Sequence, residues 1–358
     1  MATPPCQGLS SSNPSRGKRR GGSAEAYAEK NQLILAVPAI ARALKPKLIV
    51  VENVRQILTL PTSSDAEERV VDAFQRELPG YHVFEGVVNV ADYGLAQDRR
   101  RAVVVAIRTN QPVLRRLKKL GLVPWPSPTH GQDRAPWVPV RTWLEGVGYQ
   151  RLEASSERAA RGSHALHRVP AYDADRFALV ADIPPYSGLS AYHNDRCRRC
   201  GHEPVPSGRA SCSKCGAAML NRPVVVKKVR ARLIRGFHSS YRRMAADRPA
   251  PTVTTNSSHI GSDFKIHPWE HRVLSALECS DLQTVPRFYD WSPALVDGQQ
   301  YLVRNVIGEA FPPYFTYLHG LILRLILSGG LPPESGRILA EARPGSSARS
   351  QPALAARA

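Results

Sequence analysis

Apolar residues in the first third of the chain change their spacing in a regular way. Leu48-Ile49-Val50-Val51 is a short β-branched run that predicts a buried strand, and Glu52-Asn53-Val54 follows at its C-terminal end. Glu25 to Leu44 and Asp65 to Leu78 have helical spacing, whereas Tyr81 to Val90 and Ala102 to Ile107 read as strands. The alternation predicts an α/β fold with a mostly parallel sheet, whose chemistry sits at the carboxyl ends of the strands. Past Thr109 the pattern dissolves into a stretch rich in Pro, Trp, Arg and His that runs to about Asp247 and reads as an inserted domain. A compact region resumes at Arg248, with a buried amphipathic helix expected over Phe315 to Leu327. Beyond Leu331 the Ala, Arg, Ser, Pro and Gly composition predicts a disordered tail.

With 358 residues, 42% of them hydrophobic, the chain is long enough to bury one large core or two modest ones. Its 49 Lys and Arg against 30 Asp and Glu give a net charge of +19, which points to a polyanionic partner, nucleic acid first. An Arg-rich compositional bias is the competing explanation. There is no long apolar run of membrane-spanning length and no apolar signal-peptide core at the start, so the chain reads as cytoplasmic with no membrane partner.

Four cysteines fall close together. Cys197-Arg198-Arg199-Cys200-Gly201 and Cys212-Ser213-Lys214-Cys215-Gly216 are two CxxC-Gly knuckles, and in a reducing compartment this spacing predicts a structural Zn2+ held by Cys197, Cys200, Cys212 and Cys215. Four sulfurs fill a tetrahedral site, leaving His193 and His202 as bystanders. Lys227-Lys228-Val229-Arg230-Ala231-Arg232, Arg235 and Tyr241-Arg242-Arg243 follow, either as a solvated basic face or as a DNA-facing surface.

Near the start, Pro4-Pro5-Cys6-Gln7-Gly8 holds a cysteine between residues that stiffen the backbone before it and permit a turn after it. A nucleophilic thiolate there needs nearby positive charge, for which Arg16, Lys18, Arg19 and Arg20 are candidates. Glu52, at a strand end, is the natural acid partner, the alternative being a solvated loop carboxylate. The basic run Gln97-Asp98-Arg99-Arg100-Arg101 either flanks the next strand as ordinary charge or presents guanidinium groups to phosphate and a base edge.

Taken in order, these segments resemble the motifs of the cytosine-5 DNA methyltransferase family of bacterial type. Pro4 to Ser10 resembles its nucleophile loop, Glu52-Asn53-Val54 its Glu-Asn-Val motif, and Tyr93 to Arg101 its Gln-x-Arg-x-Arg box. Arg248-Pro249-Ala250-Pro251-Thr252-Val253-Thr254-Thr255 resembles the motif supporting target recognition. His267-Pro268, Arg272, Leu277-Glu278 and Leu282-Gln283 continue that pattern, and Ile307-Gly308-Glu309-Ala310-Phe311-Pro312-Pro313 resembles the closing Gly-Asn-x-x-Pro-Pro motif.

The resemblance implies a methyl transfer from S-adenosylmethionine to cytosine in a specific duplex DNA sequence, with the target base flipped out and a restriction-modification system as the setting. Cys6 would add to the ring's 6-carbon, and the resulting enamine would attack the methyl sulfonium. Glu52 would hold a proton on ring nitrogen 3, with Arg99 and Arg101 completing the catalytic set. Gln7, Asn53, Gln97, Arg248, Thr252 and Thr254 would serve substrate and DNA. Pro4, Gly308 and Glu309 would face the cofactor.

Two departures stand out: no glycine-rich Phe-x-Gly-x-Gly loop precedes the cysteine, and Glu309 stands where the family has Asn. The expected architecture is therefore an incomplete Rossmann-like methyltransferase sheet with an inserted zinc-ribbon-containing target-recognition domain. Its parts are a catalytic core at 1–109, target recognition at 110–247, a support and core-closing region at 248–331 and a tail at 332–358. A late start, a second polypeptide carrying the cofactor motifs, or decay would each account for the missing loop. The competing functions are a noncatalytic zinc-containing DNA-binding remnant and a tRNA cytosine methyltransferase, the latter disfavoured by the long insert.

Overall fold

The structure, a computed structural model, describes residues 1–4, 33–62, 67–228, 230–236, 239–262, 264–295 and 300–332. Two compact units divide the chain. The first takes in Met1–Tyr93, Arg99–Arg134 and Phe315–Ser346, and the second Gly94–Asp98, Ala135–Tyr314 and Ser347–Ala358.

The first unit is built on a three-stranded sheet in the order β1 (Leu48–Val54), β4 (Arg100–Arg108), β2 (Tyr81–Asn89). Ile49 and Val51 of β1 and Ala102, Val104 and Ala106 of β4 meet helices α1 (Ala36–Leu44) and α2 (Val70–Arg76) on one face, with Phe74 and Leu78 completing that core. Val103, Val105 and Ile107 are buried as well, so β4 is covered on both faces. Two-sided burial is why its sequence is a continuous apolar run without alternation.

The expectation of a mostly parallel sheet is overturned. β4 runs antiparallel to β1, with Leu48 opposite Ile107 and Val54 opposite Arg101, and antiparallel to β2, with Tyr81 opposite Arg108. The crossover through α2 does give β1 and β2 the same direction, as strand-helix alternation suggests. However, the connection from Asn89 to Arg100 is too short for another crossover, so β4 returns as a hairpin strand and inserts between them. Among the described residues the far edge of β1 is met only at Ala2, which bridges Val51 in parallel, its N–H donating to the Val50 carbonyl at 2.8 Å. Also in this unit, helix α3 (Val113–Lys119) buries Val113, Leu114 and Leu117. Helix α8 (Pro313–Leu327) buries Phe315, Leu318, Ile322 and Ile326 along one stripe, as its periodicity predicts.

The second unit is mainly helix and irregular chain. Helices α4 (Val140–Val147), α6 (Ala276–Leu282) and α7 (Tyr301–Glu309) share a core with Val253, Leu274 and Cys279, while α5 (Ala174–Ala181) packs with Leu152, Ile183 and Ile266. The short strands β3 (Gln97–Asp98) and β7 (Ala250–Pro251) pair in parallel, and β5 (Val224–Lys227) and β6 (Arg230–Leu233) form an antiparallel hairpin.

Helix α6 starts at a capping box in which the Ser275 hydroxyl accepts from the Glu278 N–H at 3.1 Å and Glu278 accepts from the Ser275 N–H at 2.7 Å. Glu278 is also gripped by both terminal nitrogens of Arg272 at 2.7 and 2.8 Å, while Arg272 Nε donates to Glu270 at 2.6 Å. Both members of the Arg272–Glu278 pair are fully buried. Among the described residues no helix is long and apolar enough to cross a membrane.

Candidate functional site

Glu52 lies on β1, two residues before its end, and Arg101 lies at the start of β4. The register sets Glu52 opposite Val103 and Val54 opposite Arg101, so Glu52 and Arg101 are diagonal neighbours on one face of the sheet, within reach of two long side chains. Arg101 Nε stands 3.3 Å from Glu52 Oε1, and both side chains are nearly covered. Burial pushes the Glu52 carboxyl up, against the opposing pull of Arg101 and then Arg99. The result is a carboxylic acid that keeps its proton longer than an ordinary glutamate while the Arg101 guanidinium holds it in place. The solvated-carboxylate alternative for Glu52 is thereby removed.

Arg99 is fully buried, and its main chain is fixed by a residue that sequence reasoning passed over. Asn89, the last residue of β2, accepts from the Arg99 N–H at 3.1 Å and the Ala91 N–H at 3.3 Å through its side-chain oxygen, and the Arg99 carbonyl accepts from Val90 N–H at 3.1 Å. Its only sequence signal is an amide at the end of an apolar strand. Asn53 is buried and turns inward: its Nδ2 donates to the Pro4 carbonyl at 2.9 Å, and its Oδ1 accepts from the Val54 N–H at 2.9 Å. It thus holds the main chain two residues ahead of Cys6. Cys6 and Gln7 lie outside the described residues, as do Arg16, Lys18, Arg19 and Arg20.

Within the second unit, Gln97 departs from the expectation that it serves DNA. It is fully buried, its Oε1 accepting from the Val253 N–H at 3.1 Å and its Nε2 donating to Gln283 Oε1 at 2.7 Å. An amide so occupied joins the Gln-x-Arg-x-Arg box to the 248–255 motif and has no surface for a base edge. Thr252 is half-buried and donates from Oγ1 to the Asp98 carbonyl at 2.8 Å, Thr254 is half-buried, and Arg248 is exposed. Gly308 packs so closely that a Cβ would lie 2.3 Å from Thr255 N and 2.4 Å from the Thr254 carbonyl carbon, while the neighbouring Glu309 is exposed. Arg243, read from sequence as part of a basic face, is fully buried and donates to the carbonyls of His267, Glu270 and Val180 at 2.6 to 3.0 Å. Burial brings its guanidinium down to about 10.

The four cysteines converge, their sulfurs all within 4.8 Å of one another. Cys197 Sγ is 3.7 Å from Cys215 Sγ, and Cys200 Sγ is 3.8 Å from Cys212 Sγ. A tetrahedron with Zn–S arms of about 2.3 Å has edges of about 3.8 Å, so the donor set fits that ion. The knuckles repeat one hydrogen-bond scheme: Gly201 N–H donates to the Cys197 carbonyl at 2.8 Å and Gly216 N–H to the Cys212 carbonyl at 3.0 Å. Both glycines adopt positive φ, 70° and 71°. The Cys212 sulfur also accepts from the Lys214 backbone N–H at 3.4 Å, a contact of the kind that steadies a metal-bound thiolate.

A buried carboxylic acid held by a guanidinium group is equipped to protonate and grip a polar heterocycle. The chain belongs to the C-5 cytosine-specific DNA methylase family, whose model matches residues 1–317. It is 28% identical over 336 residues to the Type II methyltransferase M1.HgaI of Avibacterium volantium, a match covering 87% of this chain and 74% of that protein. It is 27% identical over 287 residues to the Type II methylase M.HgiDII of Herpetosiphon aurantiacus, covering 79% and 66% respectively. Among solved structures, the S. pombe Dnmt2 methyltransferase aligns with 90% of this chain and 77% of its own at 14% identity and a TM-score of 0.45.

S-adenosylmethionine is the methyl donor typical of this family, and when bound it supplies an electrophilic methyl group. Of the residues expected to face it, Gly308 is taken up by packing, Pro4 offers a carbonyl already engaged by Asn53, and Glu309 is an exposed carboxylate.

Proposed function

We propose that the chain acts on cytosine within a specific sequence of duplex DNA, in the cytoplasm and within a restriction-modification system, with Cys6 as nucleophile and Glu52 as its acid partner. The Glu52–Arg101 pair carries this reading, because burial favours the protonated acid and the arginine fixes where that proton is offered. The Cys6 sulfur adds to the 6-carbon as Glu52 gives its proton to ring nitrogen 3, which leaves the 5-carbon electron-rich without a full negative charge in the ring. After the 5-carbon has taken an electrophile and given its hydrogen up to water as a proton, the C6–S bond breaks, the sulfur leaves as thiolate and nitrogen 3 returns its proton to Glu52. Arg101 contacts the base or the adjacent phosphate, Arg99 braces the loop, and Asn53 holds the Pro4 carbonyl.

The insert at 110–247 reads the target sequence and 248–331 supports it, with Arg248, Thr252, Thr254 and Gln7 on the DNA side and Gln97 as an internal brace. Zn2+ on Cys197, Cys200, Cys212 and Cys215 is structural, since four sulfurs leave no open coordination position. Pro4, Gly308 and Glu309 are the cofactor-side residues of this reading, and a second polypeptide is a further partner.

Thiol addition can be followed without any methyl donor, because reversible attack at the 6-carbon makes the 5-hydrogen exchangeable. The purified chain should release tritium from duplex DNA carrying 5-tritiated cytosine, and Cys6→Ser and Glu52→Gln should each abolish the release. Release that persists in Cys6→Ser would remove Cys6 from the reaction. Metal analysis should find one Zn2+ per chain, lost on Cys200→Ser together with Cys215→Ser.

A further inference from the structure

The hairpin β5–β6 stands apart chemically from the rest of the second unit. Between Pro223 and Ala246 the chain carries seven Lys and Arg and no Asp or Glu. The register pairs Val225 with Arg232 and Lys227 with Arg230, and Val224 with Leu233 and Val226 with Ala231. Because directly opposed residues share a face, Lys227, Arg230 and Arg232 lie on one side of the ribbon and Val224, Val226, Ala231 and Leu233 on the other. Lys227, Lys228, Arg230, Arg232 and Arg235 are all exposed, and none is ion-paired with an acidic residue among the described residues.

A two-stranded ribbon with nothing paired at its edges is marginal alone, so its base must be held. After β6, the Tyr192 hydroxyl donates to the Ile234 carbonyl at 2.8 Å, and the Ile234 N–H donates to the Pro223 carbonyl at 2.8 Å. Before β5 stands Arg222, which is 1% exposed. Its NH1 and NH2 donate to the carbonyls of Pro206, Arg209 and Val205 at 2.6 to 2.9 Å, and its Nε donates to the Asn194 carbonyl. Those carbonyls belong to the chain that wraps the cysteine cluster: Asn194 precedes the first knuckle, residues 205–209 link the two, and Val205 packs against Cys197 and Cys212. One planar guanidinium therefore registers the path of the knuckle loop and fixes the first residue of the ribbon.

We propose that the basic face of β5–β6 binds the phosphates of duplex DNA and that Arg222 makes its placement depend on the metal-filled cysteine cluster. The proposal rests on the DNA-modifying reading above and deepens it, assigning phosphate contacts to Lys227, Arg230 and Arg232 and a positioning role to Arg222. A β-ribbon also fits the width of a major groove, which gives this face a place to lie.

The test measures binding of the full zinc-loaded chain to a short duplex of mixed sequence as a function of salt. Each phosphate contact contributes about 0.9 to the slope of log K against log salt, so Lys227→Ala, Arg230→Ala and Arg232→Ala together should lower it by about 2.7. Zinc content and circular dichroism should stay as in the parent. Chelation of the parent should remove the same increment, chelation of the triple variant should remove nothing more, and Arg222→Lys, which keeps the charge but loses the fork, should behave as the chelated parent does. An unchanged slope in the triple variant overturns the assignment of the ribbon, and equal losses on chelating parent and triple variant overturn its coupling to the cluster. A parent chain that fails to bind duplex DNA even at low salt sinks the DNA-modifying reading itself.

Discussion

Replacing Gly308 with alanine adds one methyl group inside α7, and the structure lets two opposing effects be compared. In a helix interior alanine is favoured over glycine by about 1 kcal/mol. Here, however, the new Cβ would fall 2.3 Å from Thr255 N and 2.4 Å from the Thr254 carbonyl carbon, both main-chain atoms. The segment before them cannot move aside easily, since the Val253 N–H is held by Gln97 and the Thr252 carbonyl accepts from Lys265 Nζ at 2.8 Å. Overpacking against a rigid neighbour costs roughly 3 kcal/mol, so the net destabilisation is about 2 kcal/mol.

For a unit of this size that corresponds to a fall in Tm of roughly 4–8 °C. Gly320 supplies the control: it lies in α8 with nothing within 4 Å of its would-be Cβ, so Gly320→Ala should gain the helix term alone and raise Tm by roughly 2–4 °C. Thermal unfolding of both variants by circular dichroism, without cofactor, gives the answer. If Gly308→Ala melts at or above the parent, the packing argument is wrong and Gly308 is free to serve a ligand.

Removing Arg101 takes away the main force holding the Glu52 carboxyl down, so in Arg101→Met that carboxyl should rise further. Glu52 must be protonated to act, so the alkaline fall in tritium release should move to higher pH; a limb that stays or moves lower contradicts the pairing. The raised Glu52 favours folding at low pH, a contribution lost as pH rises through its folded value. Glu278 has the opposite sign, because Arg272 holds its carboxyl far below the ordinary range despite burial. Its contribution is present above the unfolded value of about 4.3 and drains as pH falls toward the folded one. Glu278→Gln should therefore cost about 3–5 kcal/mol at neutral pH by urea titration, and the variant's stability should vary less with acid than the parent's.

Much of the site was legible in the sequence where spacing and residue type act locally. Glu52 could be set at a strand end because the apolar run before it stops there, and the cysteine cluster could be read from two CxxC-Gly units because ligand spacing is a local property. What the sequence hides is direction and partnership. β4 reads as one more buried strand whether it runs parallel or antiparallel, and only the short path from Asn89 to Arg100 decides it. Gln97, Arg243 and Arg222 look like surface polar residues. Each is buried because its partners, which include the Val253 N–H for Gln97 and the carbonyls of His267 and Val205 for the two arginines, lie in distant segments that composition cannot connect.

The grip of Arg222 has a bearing on how this protein can vary. Its partners are carbonyl groups, which every amino acid carries, so the identities of residues 205, 206 and 209 are not what the guanidinium recognises. The same holds for Asn53 and the carbonyl of residue 4. A change of side chain at residues 206 or 209 therefore leaves the guanidinium's hold intact while the main-chain path persists. Main-chain grips of this kind let the sequence around a metal cluster vary without altering the path that surrounds it.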